Sequence, residues 1–230
     1  MSTEPQVSND VVLEMAQAGV LFGHKKSKTH PRMKPYIGGT KNEIEILDPE
    51  PVLAGLETAA NFLAEKVRSG SLILLVGTGA AAKGPLEHFA KEFSFPCVTN
   101  RWLGGTLTNF KVISDRMKYF QDLKYKKEKG ELAKYTKRER QEFDKEIGKM
   151  EQTFSGFISL TKIPDVLLVI DPAAHAIAVS EAKQCGVPVV AVMDTNDDPA
   201  SVDYPIFAND HARASIDWVV GKIREAIRKA

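Results

Sequence analysis

The spacing of apolar residues divides this chain into α/β segments interrupted by one purely helical stretch. Val11, Met15 and Ala18 share a helical face behind Asp10, a candidate N-cap, and Gly19 stops the run. Gly38-Gly39 followed by Ile44-Glu-Ile-Leu47 reads as a turn and a short strand or hairpin arm. After Asp48-Pro49, Val52, Leu53, Leu56, Ala60, Leu63 and Val67 recur at three- and four-residue spacing until Gly70, which predicts a helix. Leu72–Val76 is an apolar run of buried-strand type, Lys83–Phe93 a helix and Pro96–Thr99 the next strand. Later, the β-branched runs Val166–Ile170 and Val189–Val192 each reach an aspartate and flank a helix carrying Ala178, Val179 and Ala182. Ile206–Ala208 reads as a last strand. Asp210–Ile227 reads as a final helix with Ile216, Val219, Val220, Ile223 and Ile227 on its core face. Strands alternating with helices imply a parallel sheet covered on both sides.

Residues 109–154 differ in kind. Phe110, Ile113, Met117 and Phe120 form one apolar helical stripe, and Phe143, Ile147, Met150 and Phe154 form another. Lys129-Gly130 breaks the first helix, and Thr136-Lys-Arg-Glu139 has the capping-box spacing that starts the second. Two facing amphipathic helices joined by a loop make an antiparallel, coiled-coil-like hairpin. The predicted organisation is therefore an α/β body at 1–108 and 155–230 with an inserted helical subdomain at 109–154. Lys124–Lys149 holds ten Lys or Arg and six acids, which reads mainly as a solvated helical surface.

Composition adds bounds. With 230 residues, 43% hydrophobic and 27% charged, the chain suits one globular α/β core. The N-terminus lacks a basic region followed by an apolar core, and no apolar run could span a bilayer, so neither signal peptide nor membrane partner is expected. Cys97 and Cys185 are lone thiols without a CxxC, which fits a reducing cytoplasm. The net charge of +1 hides an asymmetry. Met15–Asn42 carries Lys25, Lys26, Lys28, Arg32, Lys34 and Lys41 and no acid, whereas Asp165–Asp217 carries nine acids against Lys183 and Arg213. One RNA-facing surface and a second surface turned elsewhere are expected from this.

Enzymatic chemistry finds little support. Gly77-Thr-Gly79-Ala-Ala-Ala82 satisfies the G-x-G-x-x-A dinucleotide pattern, and a nucleotide-binding α/β enzyme using this loop is the alternative reading. The ribose-binding acid is missing at the end of the following strand, however, where Asn100-Arg101 stands, and no catalytic His or Lys constellation accompanies the loop. Tight packing of a strand–helix turn explains the glycines. As a phosphate loop it lacks the hydroxyl after Lys83 that would reach Mg²⁺. Asp171, Asp194, Asp197 and Asp198 lie at or beyond strand ends, where carboxylates could hold a divalent ion, but turn-capping roles account for them. The five histidines have no ligand spacing, so no metal, cofactor or small-molecule substrate is expected.

The most distinctive segment is Thr99-Asn-Arg-Trp-Leu-Gly-Gly-Thr-Leu-Thr-Asn-Phe-Lys-Val112. It joins an aromatic-basic pair to a double glycine and then to hydroxyl and amide donors. Such chemistry suits a backbone contacting phosphate or another chain. This segment closely resembles the signature of the bacterial-type ribosomal protein S-two family. So do Ala18-Gly-Val-Leu-Phe-Gly-His24, Pro31-Arg-Met-Lys-Pro-Tyr-Ile37, Pro164-Asp-Val-Leu-Leu-Val-Ile-Asp-Pro172 and Gly186-Val-Pro-Val-Val-Ala-Val-Met-Asp-Thr-Asn196. Asp198-Pro199, Val202-Asp-Tyr204 and Ala208-Asn-Asp210 complete a series in family order over nearly the whole chain. Leu21 stands where the family usually has a second His, Phe207 where it has Pro, and His211 where it has a further Asp.

The resemblance implies a flavodoxin-like doubly wound sheet with the helical hairpin inserted after its second strand. It also implies a structural, non-enzymatic role in the small ribosomal subunit. Partners would be small-subunit ribosomal RNA and neighbouring proteins, including ribosomal protein S-one where present. Phosphate contacts are expected from Lys25, Lys26, Lys28, Arg32, Lys34, Arg101 and Lys111. His24, Trp102, Gly104, Gly105, Thr106 and Asn109 are expected at an RNA or protein interface, with a core role equally open for Trp102.

Overall fold

A computed structural model describes residues 9–154 and 156–230. The described residues open with α1 (Asn9–Ala18). Asp10, expected as its cap, lies inside the first turn, where a carboxylate suits the positive end of the helix dipole. Three short strands follow: β1 (Phe22–Lys25), β2 (Ile37–Lys41) and β3 (Ile44–Leu47). They form an antiparallel sheet in the order β1-β3-β2. Gly38 and Gly39 lie within β2; the turn is Asn42-Glu43, with Lys41 facing Ile44 across a two-residue hairpin. Both turn residues have positive φ, 52° and 64°, the handedness that matches strand twist. The expected glycine turn is thus a strand, and the reversal falls three residues later.

α2 (Pro49–Arg68) starts where Asp48 accepts from the Glu50 amide at 3.0 Å with Pro49 as the first helical residue. Beyond it come β4 (Ile73–Val76), α3 (Ala80–Phe93) and β5 (Cys97–Val98). α3 begins one turn before the expected Lys83, because the alanines after Gly79 are already helical. Next are α4 (Phe110–Glu128) and α5 (Lys137–Phe154). After these come β6 (Val166–Ile170), α6 (Ala176–Gln184), β7 (Val189–Met193), β8 (Tyr204–Phe207) and α7 (Arg213–Lys229). α7 starts three residues later than expected. The Asn209 side chain accepts from the amides of His211 and Ala212 and holds that stretch in a turn.

The five later strands form one parallel sheet in the order β5-β4-β6-β7-β8. Numbered within this sheet the order is 2-1-3-4-5, the doubly wound arrangement of flavodoxin-like folds. β4, β6 and β7 are buried at every position, as expected of strands covered on both faces. Right-handed crossovers put α3 and α6 on opposite faces, because the strand order runs in opposite directions from β4. α7 packs against both α2 and α3. The order reverses between β5 and β6, and the long connection there carries α4 and α5.

α4 and α5 lie side by side and antiparallel. Phe120 meets Phe154 at 6.4 Å between ring centroids, Lys124 pairs with Glu151 at 3.1 Å and Lys127 with Asp144 at 2.8 Å. Met117, Phe120 and Leu123 are buried on one helix, and Ile147, Met150 and Phe154 on the other. Thr136 and Glu139 exchange hydrogen bonds, 2.9 Å from the Thr136 amide to the Glu139 carboxylate and 3.4 Å in return, so α5 opens on a capping box.

Candidate nucleic-acid interface

The basic block is a rigid appendage of the sheet. The His24 amide donates to Thr195 Oγ1 and its Nδ1 lies against Asp194 Oδ2, both at 2.8 Å. The His30 amide donates to the Thr195 carbonyl at 2.8 Å, and the Asn209 amide to the Val20 carbonyl at 2.9 Å. Met33 is fully buried, and a Cβ on Gly23 would overlap the Thr195 side chain. These ties hold β1 and the turns after it over the carboxyl ends of β7 and β8. Fixed in this way, the block presents Lys25, Lys26, Lys28, Arg32 and Lys34 exposed. Arg32 is paired with Asp198 at 2.8 Å. The four lysines make no salt bridge among the described residues, and neither do the exposed Arg101 and Lys111.

The acid-rich segment, expected on a second surface turned elsewhere, lies partly in the interior. Glu181, Asp194, Asp197 and Asp210 are buried, so nearly half of its carboxylates never reach solvent. Two of the segment's acids, Asp194 and Asp198, instead hold the basic block in place. The sequence asymmetry reflects an internal electrostatic joint as much as two outer faces.

Glu181 organises the glycine-rich signature, and its role was not anticipated. Its carboxylate accepts from Trp102 Nε1 at 3.1 Å and from the amides of Gly105 at 2.8 Å, Leu107 at 2.9 Å and Thr108 at 3.3 Å. The Thr108 hydroxyl adds a fifth donor at 3.2 Å. Burial alone would raise the Glu181 pKa, but these donors outweigh it and hold the group below the ordinary carboxylate range. The sequence did carry a signal: Glu181 follows Ala178 by three residues, so an acid sits on the buried face of α6.

This arrangement redefines several expected interface residues. Trp102 is half-buried, with its indole N–H on Glu181 and its ring edge-on to Phe157 at 6.2 Å, the core role left open above. Thr106 is fully buried and donates to the Leu103 carbonyl at 2.6 Å, which leaves it nothing to offer a partner. Gly105 adopts φ +87°, a conformation glycine accommodates without strain. Gly104 is exposed and a Cβ there would meet nothing within 4 Å. Asn109 is exposed at the start of α4 with its side chain free of capping duty. Arg101, Gly104, Thr108, Asn109 and Lys111, with Asn100 and Val112, therefore form the outward part of the signature.

The Gly77–Ala82 loop is occupied from within. The Thr78 amide donates to His175 Nε2 at 3.2 Å, and the Thr78 hydroxyl lies 3.1 Å from the same atom. A Cβ on Gly77 would come within 2.6 Å of Leu86 Cδ1 and 3.3 Å of Ile170 Cβ. Close packing, rather than a phosphate, explains the glycine, and an amide that a nucleotide would need is already bonded.

At the strand ends, turn-capping is real: Asp171 accepts from the Ala174 amide at 2.9 Å and Asp198 from the Ala200 amide at 3.0 Å. Asp194 and Asp197 do more, since they are buried together with Asp210. Burial first, then the charges of Asp194, Asp171 and Asp197, push Asp210 up to about 9. Asp197 is raised to about 6, again mainly by burial. Cys97, buried beside Glu87, is pushed up to about 12 and is an unreactive thiol at neutral pH.

Comparison with known proteins identifies the family. The profile of the family described as Ribosomal protein S2 matches residues 15–230. Small ribosomal subunit protein uS2 of Dehalococcoides mccartyi (strain CBDB1) is 39% identical over 219 residues, covering 95% of this chain and 89% of the relative. The protein of the same name from Rhodopirellula baltica is 37% identical over 221 residues, covering 96% and 85%. That from Roseiflexus sp. (strain RS-1) is 40% identical over 212 residues, covering 92% and 81%. With likeness running almost from end to end, the chain belongs to the ribosomal protein S2 family.

Proposed function

We propose that this chain is a structural constituent of the small ribosomal subunit, not an enzyme. It binds small-subunit RNA and neighbouring proteins during translation. Its relatives are named as small-subunit proteins. One observation carries the RNA reading. Lys25, Lys26, Lys28 and Lys34 are exposed and free of ion pairs among the described residues, on a block that is itself fixed to the body. Cations held in place without internal partners neutralise phosphate at little cost in ordering. Arg101, Asn109 and Lys111 extend this surface, and Arg32 joins it by exchanging Asp198 for phosphate. Gly104 lets a partner backbone approach.

Residues 109–154 form a separable coiled-coil subdomain that reaches toward the RNA. Recruitment of ribosomal protein S-one and a cytoplasmic setting belong to the same reading. They rest on the family resemblance; among the described residues no helix is long and apolar enough to cross a membrane. The test is addition of the tagged chain to small subunits depleted of their own copy. It should co-sediment with them through a sucrose gradient in a near-stoichiometric, salt-sensitive complex. A chain that stays at the top of the gradient in low salt would overturn the assignment.

A further inference from the structure

We infer that the outward face of the N-terminal antiparallel sheet binds an unpaired RNA nucleotide, with its base stacked on Phe22 and its flanking phosphates on Lys25 and Lys41. Resting on the RNA-binding reading above, this site adds a ligand class to it: a single strand whose bases are free.

β3 carries the first observation. A sheet with one face on a core normally turns apolar residues inward and polar ones outward. In Ile44-Glu-Ile-Leu47 the inward pair is Glu45 and Leu47, 5% and 0% exposed. The outward pair is two isoleucines, of which Ile44 is 38% exposed. A slip of one residue would turn both isoleucines inward. Glu45 is nonetheless held inside by the Thr40 hydroxyl, which donates to its carboxylate at 2.7 Å.

Residues directly opposite each other on neighbouring strands share a face. The pairings therefore set two rows across the three strands: Phe22, Ile46 and Gly39, and beside it Lys25, Ile44 and Lys41. Phe22 is 44% exposed, and a Cβ on Gly39 would meet nothing within 4 Å. One row is thus an aromatic ring, an aliphatic side chain and bare backbone. The other is an aliphatic side chain between two ammonium groups. Neither lysine has an ion pair among the described residues. Glu43 lies in the turn at the end of the hairpin, off both rows.

An apolar face alone would suit another protein equally well, and here charge decides. A flat apolar centre between unpaired cations matches a ligand that has a π-face with negative charge on either side, which is a nucleotide within a single strand. Duplex RNA keeps its bases stacked inside and offers backbone instead. The platform is also preformed. The His24 amide ties β1 to Thr195 Oγ1, and the Lys26 amide ties its end to the Glu43 carbonyl, both at 2.8 Å.

The test is fluorescence anisotropy of a short, unstructured, dye-labelled RNA titrated with the full free chain, beside an abasic ribose-phosphate oligomer of the same length. The parent should bind the RNA at least about five-fold more tightly than the abasic strand, the low end for one stacked base. Phe22→Ala should erase that preference and Phe22→Tyr should keep it, with thermal melts to show that both variants fold. The comparison of the two oligomers on the parent needs no variant at all. Lys25→Ala combined with Lys41→Ala should keep the preference for bases yet flatten the slope of log affinity against log salt by about 1.4, at about 0.7 per single-strand contact. Equal affinity of the parent for the two oligomers would overturn the platform, while sedimentation with depleted subunits would still report separately on the ribosomal reading. Equal affinity together with loss of subunit binding in Phe22→Ala would also overturn it, and would assign this face to a neighbouring protein.

Discussion

Glu181 links a single side chain to the shape of a fourteen-residue segment. Its carboxylate terminates backbone amides that no strand or helix satisfies, and it places the Trp102 ring at the same time. Glu181→Gln keeps the shape but turns an N–H₂ group toward donors and removes charge. Each hydrogen bond to a charged group contributes about 1.5–3 kcal/mol, so the substitution should destabilise the chain by about 2–3 kcal/mol at neutral pH. The sign of the pH dependence follows from a folded pKa below the ordinary 4.5. The stabilisation is complete above that ordinary value and is lost as pH falls through the folded one. Urea melts of both proteins should therefore differ by the full amount at pH 7 and draw together as pH falls below the ordinary carboxylate range. A difference that holds constant down to pH 3 would mean the effect is one of shape, not charge. Arg101 and Lys111 are exposed as their types suggest, whereas Thr106 is buried beside them. Local residue type does not tell which side of a loop faces a carboxylate 75 residues further along, on α6.

At the scale of elements, periodicity located each strand of the parallel sheet and each long helix, because apolar spacing reports burial directly. It missed β1 and misplaced the turn after β2. Those strands are short, mostly exposed and paired through backbone, so they carry little alternation. The start of α7 was displaced by one asparagine side chain, a local effect that periodicity does not register. The pair α4 and α5 is the element on which the domain reading rests. At 1.5 Å per residue their 19 and 18 residues extend about 27–28 Å. The buried residues Met117, Phe120 and Leu123 face Ile147, Met150 and Phe154, yet these belong to the same continuous apolar cluster as the sheet. Replacing Lys118–Lys145 by a short turn should leave a body that melts cooperatively, several degrees lower because Ile147 and Met150 lose Phe120 and Leu123 as cover. Affinity for depleted subunits should fall. Loss of the near-ultraviolet circular dichroism signal would show instead that the helices are part of the core and that no separable subdomain exists.

Over the whole molecule, charge is arranged so that carboxylates organise the interior and lysines are left outward. Net charge gives no hint of this, since +1 is the residue of 31 cations against 30 acids. What matters is which cations already have partners. Lys118, Lys124, Lys126 and Lys127 on α4 are paired with Asp115, Glu151, Asp122 and Asp144. Lys25, Lys26, Lys28 and Lys34 are not, among the described residues, and the block that bears them is tied to Asp194 and Thr195. A phosphate meeting the first group competes with a carboxylate; one meeting the second releases only condensed ions. Changing these four lysines together to alanine should leave the melt of the free chain within about 1 °C, because exposed side chains far from packing or capping contribute little. The binding of depleted subunits should respond differently. Each phosphate contact adds about 0.7–0.9 to the slope of log affinity against log salt, so losing four should flatten that slope by about three to four units. Lys118→Ala with Lys126→Ala, removing two paired cations, should flatten it by less than one unit. Equal slopes for the parent and the fourfold variant would mean that these lysines stay solvated in the complex and that the RNA surface of this chain lies elsewhere.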